Sequence, residues 1–350
     1  MLVKKLLYDA IVVGGGPAGT NFAYHAARDG FSVLLVDARS PGGYKCCAGG
    51  LSSRARRLIN PPRSVVEREI EGFLMVSPEN EQNQTDFDDK GWATVYRTKF
   101  DGWMMRRARN AGAELLHGRV KRIRFENDLA ETELDNGRKY RSQLLVGAFG
   151  ASSTLFSQLG NERPECVMGV QAEFLMEEEE IARLIGNRLE FYFDPNYTKI
   201  SYVWIFPKKD GISIGLADKV RSKGKMEKLW KFIRSHPIAS QKIRNASSRL
   251  FNGRSVHTAL IPNRPLNKTF GDHYLLIGDA AGLVNPATGE GIYFALKSGE
   301  IASDALKRAD QRSDFTSATL SWYQEKWKKM FDKEFLLFSI LRLKMLQQKD

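Results

Sequence analysis

Cysteine is scarce in this chain: Cys46, Cys47 and Cys166 are the whole complement, and two of them are adjacent. So few thiols build no disulfide framework, which points to a reducing, cytoplasmic setting. No CxxC pair occurs, and the five histidines lack the spacing of zinc ligands, so no metal is expected. Long apolar runs are missing too; none approaches the roughly 18 residues that a membrane span requires. Met1 to Ala10 holds two lysines and a short apolar stretch, then enters a Gly-rich turn. That reads as the opening of a first strand rather than a signal peptide. Internal repeats and low-complexity linkers are also absent, which excludes solenoid and linker-dominated architectures.

What is present suits a globular protein. The 350 residues are 42% hydrophobic and 27% charged, enough for one large domain or two that share contacts. The net charge of +12 admits two kinds of reading. It is either a device for solubility or an attraction to anionic lipid, nucleic acid or a phosphorylated substrate. The basic residues are spread along the chain and no nucleic-acid reader motif occurs, so nucleic acid is not an expected partner.

The opening is a βαβ unit: an apolar strand from Tyr8 to Val13, a turn from Gly14 to Gly19, a helix from Thr20 to Asp29, and a second strand from Phe31 to Asp37. A loop from Ser40 to Ser53 and an Arg-rich helix follow. Phe100 to Asn110 reads as helix, and Gln143 to Ala148 and Tyr274 to Ile277 read as buried strands. Alternating segments at Leu189 to Phe193, Ser201 to Phe206 and Gly211 to Ala217 suit antiparallel strands instead. The expected fold is α/β: a doubly wound, Rossmann-like domain formed by 1–70, 96–165 and 265–310. A mostly antiparallel β domain, 71–95 and 166–264, is inserted into it, and 311–350 forms a C-terminal helical tail. In that tail Tyr323, Trp327, Met330, Leu337, Leu341 and Met345 recur at helical spacing among lysines. Such a face either covers the protein's own core or lies on a bilayer surface.

Gly14, Gly16 and Gly19 form GxGxxG between strand and helix, followed by Pro17 and Ala18 within the motif and by Asp37-Ala38 at the end of the next strand. The first glycine permits the tight turn, the second lets a pyrophosphate approach the backbone, and the third lets helix and strand pack closely. The helix N-terminus offers N–H groups and partial positive charge to phosphates, and Asp37 can accept from the ribose hydroxyls. FAD rather than NAD is argued by YLLIGDAAGLVNPATGEGIY, Tyr274 to Tyr293. There Gly278-Asp279 follows a strand, and the Gly289/Gly291 turn opens a helix at Ile292. Asp279 can bind hydroxyls of an extended cofactor, and the turn can offer N–H groups to the flavin's pyrimidine edge. A simple helix-capping role is the other reading of Asp279.

With the N-terminal motif and GDAAG, the segment VYRTKFDGWMMRRARNAGAEL resembles the flavoprotein superfamily typified by para-hydroxybenzoate hydroxylase. Within it, PGGYKCCAGGLS (Pro41 to Ser52), YVWIFP (Tyr202 to Pro207) and GDAAGLVNPATGEGIYFALKSGE (Gly278 to Glu300) resemble the geranylgeranyl reductases, which saturate isoprenoid double bonds. The resemblance implies that Arg97 contacts the cofactor near its pyrophosphate and that Asp279 binds the flavin's sugar chain. It implies that Tyr202, Trp204, Phe206 and Pro207 belong to the motif lining the substrate cavity, with Cys47 in a loop near the flavin. Phe149 departs from the superfamily, which usually places an aspartate there, and direct reduction by NAD(P)H is thereby put in question. The electron donor stays open between NAD(P)H and a ferredoxin-like protein. The short region after the Gly278 segment implies a more open cavity or a shifted substrate class.

Reduction of an isolated alkene needs a hydride on one carbon and a proton on the other, with water excluded. Tyr202, Trp204 and Phe206 alternate with Val203 and Ile205 and so share one face of a strand, either as cavity wall or as ordinary sheet core. Cys47 is a candidate proton donor, a redox partner or a packing thiol; Cys46 is expected to be structural. An isoprenoid partner would be drawn from a bilayer, so the protein is expected in the cytoplasm with attachment to the membrane surface. The competing readings are an aromatic hydroxylase or halogenase of the same fold, an electron-transfer flavoprotein, and a flavin-binding protein without turnover.

Overall fold

The computed structural model describes residues 7–347, with side chains through Leu341; the lysines at positions 4 and 5 and the Met345 side chain lie outside the described residues. The chain forms two compact units. One holds residues 7–43, Asp101–Glu165 and Pro262–Ser339; the other holds Tyr44–Phe100 and Cys166–Ile261, with the helix residues from 340 onward.

In the first unit the near-continuous apolar runs become buried parallel strands, as expected where both faces of a sheet are covered. Leu7–Val13 lies between Val33–Asp37 and Lys139–Gly147, parallel to both. Glu114–His117 extends the sheet beyond Val33–Asp37, and Tyr274–Leu276 extends it beyond Lys139–Gly147, again parallel. Val120–Glu126 and Leu129–Leu134, an antiparallel pair not foreseen from the sequence, join through the long Lys139–Gly147 strand. Charged residues interrupt both strands, exposed in the first and with Glu131 buried in the second, which masks the period. The first helix is Pro17–Arg28, starting three residues before the position expected. Proline at its first turn has φ set for a helix and no N–H to leave unpaired.

Early and late segments of the chain meet in this unit. Pro17–Arg28 packs against the helix Ile292–Arg312, and Asn21 Nδ2 donates to the Leu296 carbonyl at 2.8 Å. The C-terminal helix, Ser317–Gln347, closes the core with Leu320, Tyr323, Trp327, Phe331 and Phe335. Tyr323 donates to the Leu276 carbonyl at 2.9 Å, and Trp327 Nε1 to Thr269 Oγ1 at 3.1 Å. This corrects the expected stripe: Met330, Leu337 and Leu341 are exposed, and Phe331 and Phe335 take the inner positions. The step of four residues from Trp327 to Phe331 and again to Phe335 follows the true helical period.

The second unit is built on an eight-stranded sheet among the described residues. Its path runs Ser247–Arg249, Cys166–Leu175, Gly211–Lys219, Val203–Pro207, Arg188–Tyr192, Gly72–Val76 and Gln82–Asp86, and Val256–Pro262 pairs with Cys166–Leu175 off it. All pairings along the path are antiparallel except Arg188–Tyr192 with Gly72–Val76. A small sheet of Gly50–Leu51, Trp92–Thr94 and Arg68–Ile70 belongs here too. In this division the stretch from Tyr44 groups with the antiparallel sheet, whereas the sequence reading set 1–70 with the nucleotide fold. Thr94 Oγ1 donating to the Pro207 carbonyl at 2.6 Å is one of the bonds that tie it there. Among the described residues, no helix is long and apolar enough to cross a membrane, and no group of His, Cys, Asp and Glu could hold a metal ion.

Candidate functional site

The GxGxxG turn in the first unit is shaped by three different constraints. Gly14 has φ +116°, and a β-carbon there would lie 2.2 Å from the Ala148 carbonyl oxygen. A β-carbon at Gly19 would lie 2.0 Å from the Gly14 carbonyl oxygen. Both glycines therefore serve backbone packing. Gly16 is different: a β-carbon there would meet nothing within 4 Å. The space is open at the start of the Pro17–Arg28 helix, whose N-cap, Gly16, supplies no side-chain bond. The first turn of a helix leaves backbone N–H groups without intrahelical partners, and beside open space such a turn can receive an anion.

Asp37 is buried and largely engaged. Its Oδ2 accepts from the Gly15 N–H at 2.6 Å and from Arg39 Nη2 at 3.3 Å, and its Oδ1 accepts from the Arg39 N–H at 2.7 Å. A carboxylate has about four acceptor positions, so one is left for a hydroxyl. Ala38 follows in an exposed bend. Arg39, which sequence reasoning passed over, also pairs with buried Asp101 at 3.7 Å. Its place two residues past the strand acid was the available signal.

The late motif lies directly against the early one. A β-carbon at Gly278 would sit 2.8 Å from Ala18 Cβ. Asp279 lies in a short 3₁₀ turn, Gly278–Ala281, and a β-carbon at Gly291 would be 3.6 Å from its Oδ1. Gly291 is the N-cap of the helix beginning at Ile292 and supplies no side-chain bond to it. Gly289 behaves otherwise than expected: its N–H donates to the Asn285 carbonyl at 3.0 Å and closes the turn. The structure thus brings Gly14, Gly16, Pro17, Ala18, Gly19, Asp37, Gly278, Asp279, Gly291 and Ile292 into one unit. The open cradle at Gly16, one acceptor on Asp37, and an uncapped second helix start beside Asp279 fit an extended dinucleotide. Arg97 stands in the other unit, buried at the start of the helix Arg97–Asn110.

In the second unit the strand alternation is as read. Val203 and Ile205 join one core, while Tyr202, Trp204 and Phe206 join another with Phe73, Phe87, Trp92, Leu189 and Phe191. Phe191 meets Tyr202 edge-on at 4.9 Å between ring centroids and Phe206 at 5.5 Å. Gly215 on the neighbouring strand makes room for the indole, since a β-carbon there would be 2.3 Å from Trp204 Cζ2. Trp204 Nε1 donates to Gln171 Oε1 at 3.2 Å. Pro207 ends the strand, with its carbonyl held by Thr94.

Ala48, next to Cys47, packs on this aromatic face. The Cys47 carbonyl accepts from Gln171 Nε2 at 3.2 Å, and its sulfur accepts from the Gly49 N–H at 3.4 Å. All three cysteines are free thiols. Cys46 donates to the His257 carbonyl at 3.6 Å, and burial pushes its thiol up to about 12. Cys46 therefore stays a neutral packing group. Beneath the loop lie buried groups that the sequence reading missed: Gln171, Glu173, Ser213 and Lys208. Single polar residues within apolar strands were the only signal.

A family model described as lycopene cyclase protein matches residues 9–174. The chain is similar to digeranylgeranylglycerophospholipid reductase 2 of Methanopyrus kandleri, with 30% identity, covering 94% of this chain and 84% of that protein. It is also similar to the digeranylgeranylglycerophospholipid reductase of Methanocaldococcus jannaschii, with 28% identity over 98% and 87% of the two chains. Among solved structures, a geranylgeranyl bacteriochlorophyll reductase-like protein from Thermoplasma acidophilum shares the fold, with TM-score 0.86, 23% identity, and coverage of 97% of this chain and 88% of that one. A flavin-dependent brominase shares it too, with TM-score 0.75, 17% identity, and coverage of 98% and 93%.

Proposed function

Because the chain belongs to the geranylgeranyl reductase family of FAD-dependent oxidoreductases, we propose that it saturates carbon–carbon double bonds of a geranylgeranyl-type isoprenoid lipid. The observation that carries this reading is the aromatic face of Tyr202, Trp204 and Phe206, with the Cys47 loop packed on it through Ala48. A branched polyene chain is recognised by apolar contact, at about 0.8 kcal/mol per buried CH₂ relative to water.

Gly16, Pro17 and Ala18 would hold the cofactor's pyrophosphate, with Gly14 and Gly19 shaping the turn and Arg97 adding positive charge. Asp37 and Ala38 would face the adenosine ribose. Gly278 and Asp279 would hold the sugar chain, and Gly291 and Ile292 the ring's pyrimidine edge, with Gly289 closing the turn before them. When bound and reduced, FAD supplies a hydride equivalent to an alkene carbon. Cys47 would supply the proton to the other carbon, and the aromatic face would orient the chain and exclude water. Phe149, whose ring packs edge-on against Phe156 at 5.0 Å, offers no carboxylate for a pyridine nucleotide. That favours a ferredoxin-like electron donor over NAD(P)H. Leu336, Leu337, Ile340 and Leu341 are exposed on a lysine-bearing helix, which favours attachment to an anionic membrane surface.

The test is anaerobic. The flavoprotein is reduced with dithionite, and a geranylgeranyl lipid is added in detergent. The expected result is flavin reoxidation with a product two hydrogens heavier per turnover. A flavin that stays reduced until oxygen is admitted would overturn the reading and favour oxygen-dependent chemistry.

A further inference from the structure

The Cys47–Gly49 turn is gripped at two consecutive carbonyls by side chains from the antiparallel sheet. Gln171 Nε2 donates to the Cys47 carbonyl at 3.2 Å, and Lys208 Nζ donates to the Ala48 carbonyl. Gly49 completes the grip: its φ is +73°, and a β-carbon there would lie 2.0 Å from the Val95 carbonyl oxygen and 3.3 Å from Lys208 Nζ. Lys208 follows directly on the YVWIFP strand and is only 1% exposed. Gln171 is fully buried and connects to Trp204 on one side and to Glu173 Oε1, at 2.7 Å, on the other. Glu173 Oε2 accepts from Ser213 Oγ at 2.7 Å. A buried ammonium is costly unless it is paired and hydrogen-bonded, and this one donates to the Ala48 carbonyl of the Cys47 loop.

We propose that Lys208 and Gln171 are positioning residues for Cys47, fixing the turn by its two carbonyls and placing a buried positive charge against the loop that carries the sulfur. The proposal rests on the reading of Cys47 as proton donor. In that step the Cys47 S–H bond breaks as a C–H bond forms on one alkene carbon, while the hydride from reduced flavin forms the other C–H bond. The thiolate left behind is stabilised by the Lys208 charge until solvent returns the proton. Lys208 also faces the carboxylates of Glu173 and Glu67 and the ring of Tyr96, 5.8 Å from Nζ. Glu67 is held by Lys99 at 2.6 Å, while the charge of Arg249 acts on Glu173.

The test is alkylation by iodoacetamide of the FAD-loaded protein, followed separately at Cys46, Cys47 and Cys166 by peptide mass spectrometry. Thiolate is the reacting form. Lys208→Met should slow Cys47 at neutral pH by about tenfold and leave Cys46 and Cys166 unchanged, as expected for loss of a close, poorly solvated charge. Lys208→Arg should restore the rate to within about threefold. The gap between wild type and Lys208→Met should narrow above about pH 8, because burial pushes the Lys208 ammonium down to about 8. Glu173→Gln, which leaves Lys208 in place, should speed Cys47. An unchanged Cys47 rate in both Lys208→Met and Glu173→Gln would overturn the proposal. So would a joint acceleration of Cys46 and Cys47, which reports a loosened loop. If the rates shift as expected while Cys47→Ser retains full turnover, the positioning role stands and the proton-donor reading falls.

Discussion

Gly299 lies so close to Ala18 that a β-carbon at position 299 would sit 2.4 Å from the Ala18 carbonyl oxygen and 3.0 Å from the Phe22 nitrogen. Two helices from opposite ends of the chain thus meet backbone to backbone. Their N-termini, at Pro17 and Ile292, belong to the two segments assigned to the cofactor. In the binding mode proposed above, this close approach also sets the spacing of the two helix starts.

Gly299→Val should force these helices apart. Overpacking of this kind costs about 1–3 kcal/mol. The expected outcome is a lower thermal midpoint together with a loss of bound flavin, read by calorimetry and by the flavin spectrum of the purified protein. Full flavin content at normal stability would mean that the cradle does not depend on this contact.

Gly14 and Gly16 should respond oppositely to the same change. Gly14→Val meets the Ala148 carbonyl and a positive φ, so the fold itself should fail. Gly16→Val meets open space, so the apoprotein should stay folded within about 1 kcal/mol while FAD affinity falls by at least about tenfold. Flavin titration of refolded apoprotein separates the two effects. Normal affinity in Gly16→Val would remove the pyrophosphate from this position.

The C-terminal helix carries a buried face and an exposed apolar end with different tasks. Trp327→Ala should cost about 3–5 kcal/mol in urea unfolding, because a 1% exposed indole and its bond to Thr269 are lost together. Replacing Leu336, Leu337, Ile340 and Leu341 by serine should change stability by about 0.5 kcal/mol or less per site. The same replacements should weaken sedimentation with anionic phosphatidylglycerol vesicles. Unchanged vesicle binding would count against a membrane role for this helix.

Lys208 should make stability depend on pH in a defined window. Its folded-state pKa is lowered by burial from 10.5 to about 8. Between those values the unfolded chain holds a proton that the folded protein has released, so stability rises with pH. Relative to Lys208→Met, the wild type should gain up to about 3 kcal/mol across this window in urea unfolding. A loss instead would show that attraction to Glu173 outweighs the cost of burial.

Local pattern by itself determined the βαβ opening, the alternation of Tyr202, Trp204 and Phe206, and the residue types of the dinucleotide turn. Each is set by neighbours within a few positions: an apolar run for a buried parallel strand, period two for a sheet face, glycine where φ is positive. It assigned Gly14 to the turn, Gly16 to the approach of a phosphate and Gly19 to packing, but it could not name what confines Gly14, because Ala148 lies far away in sequence. Nor could it separate Phe331 and Phe335 from Leu337 and Leu341, since the core they face is assembled from other segments. The grip of Gln171 and Lys208 on the Cys47 turn was likewise invisible. It joins residues 124 and 160 positions away from the carbonyls they hold, and only tertiary packing decides which buried polar groups become partners.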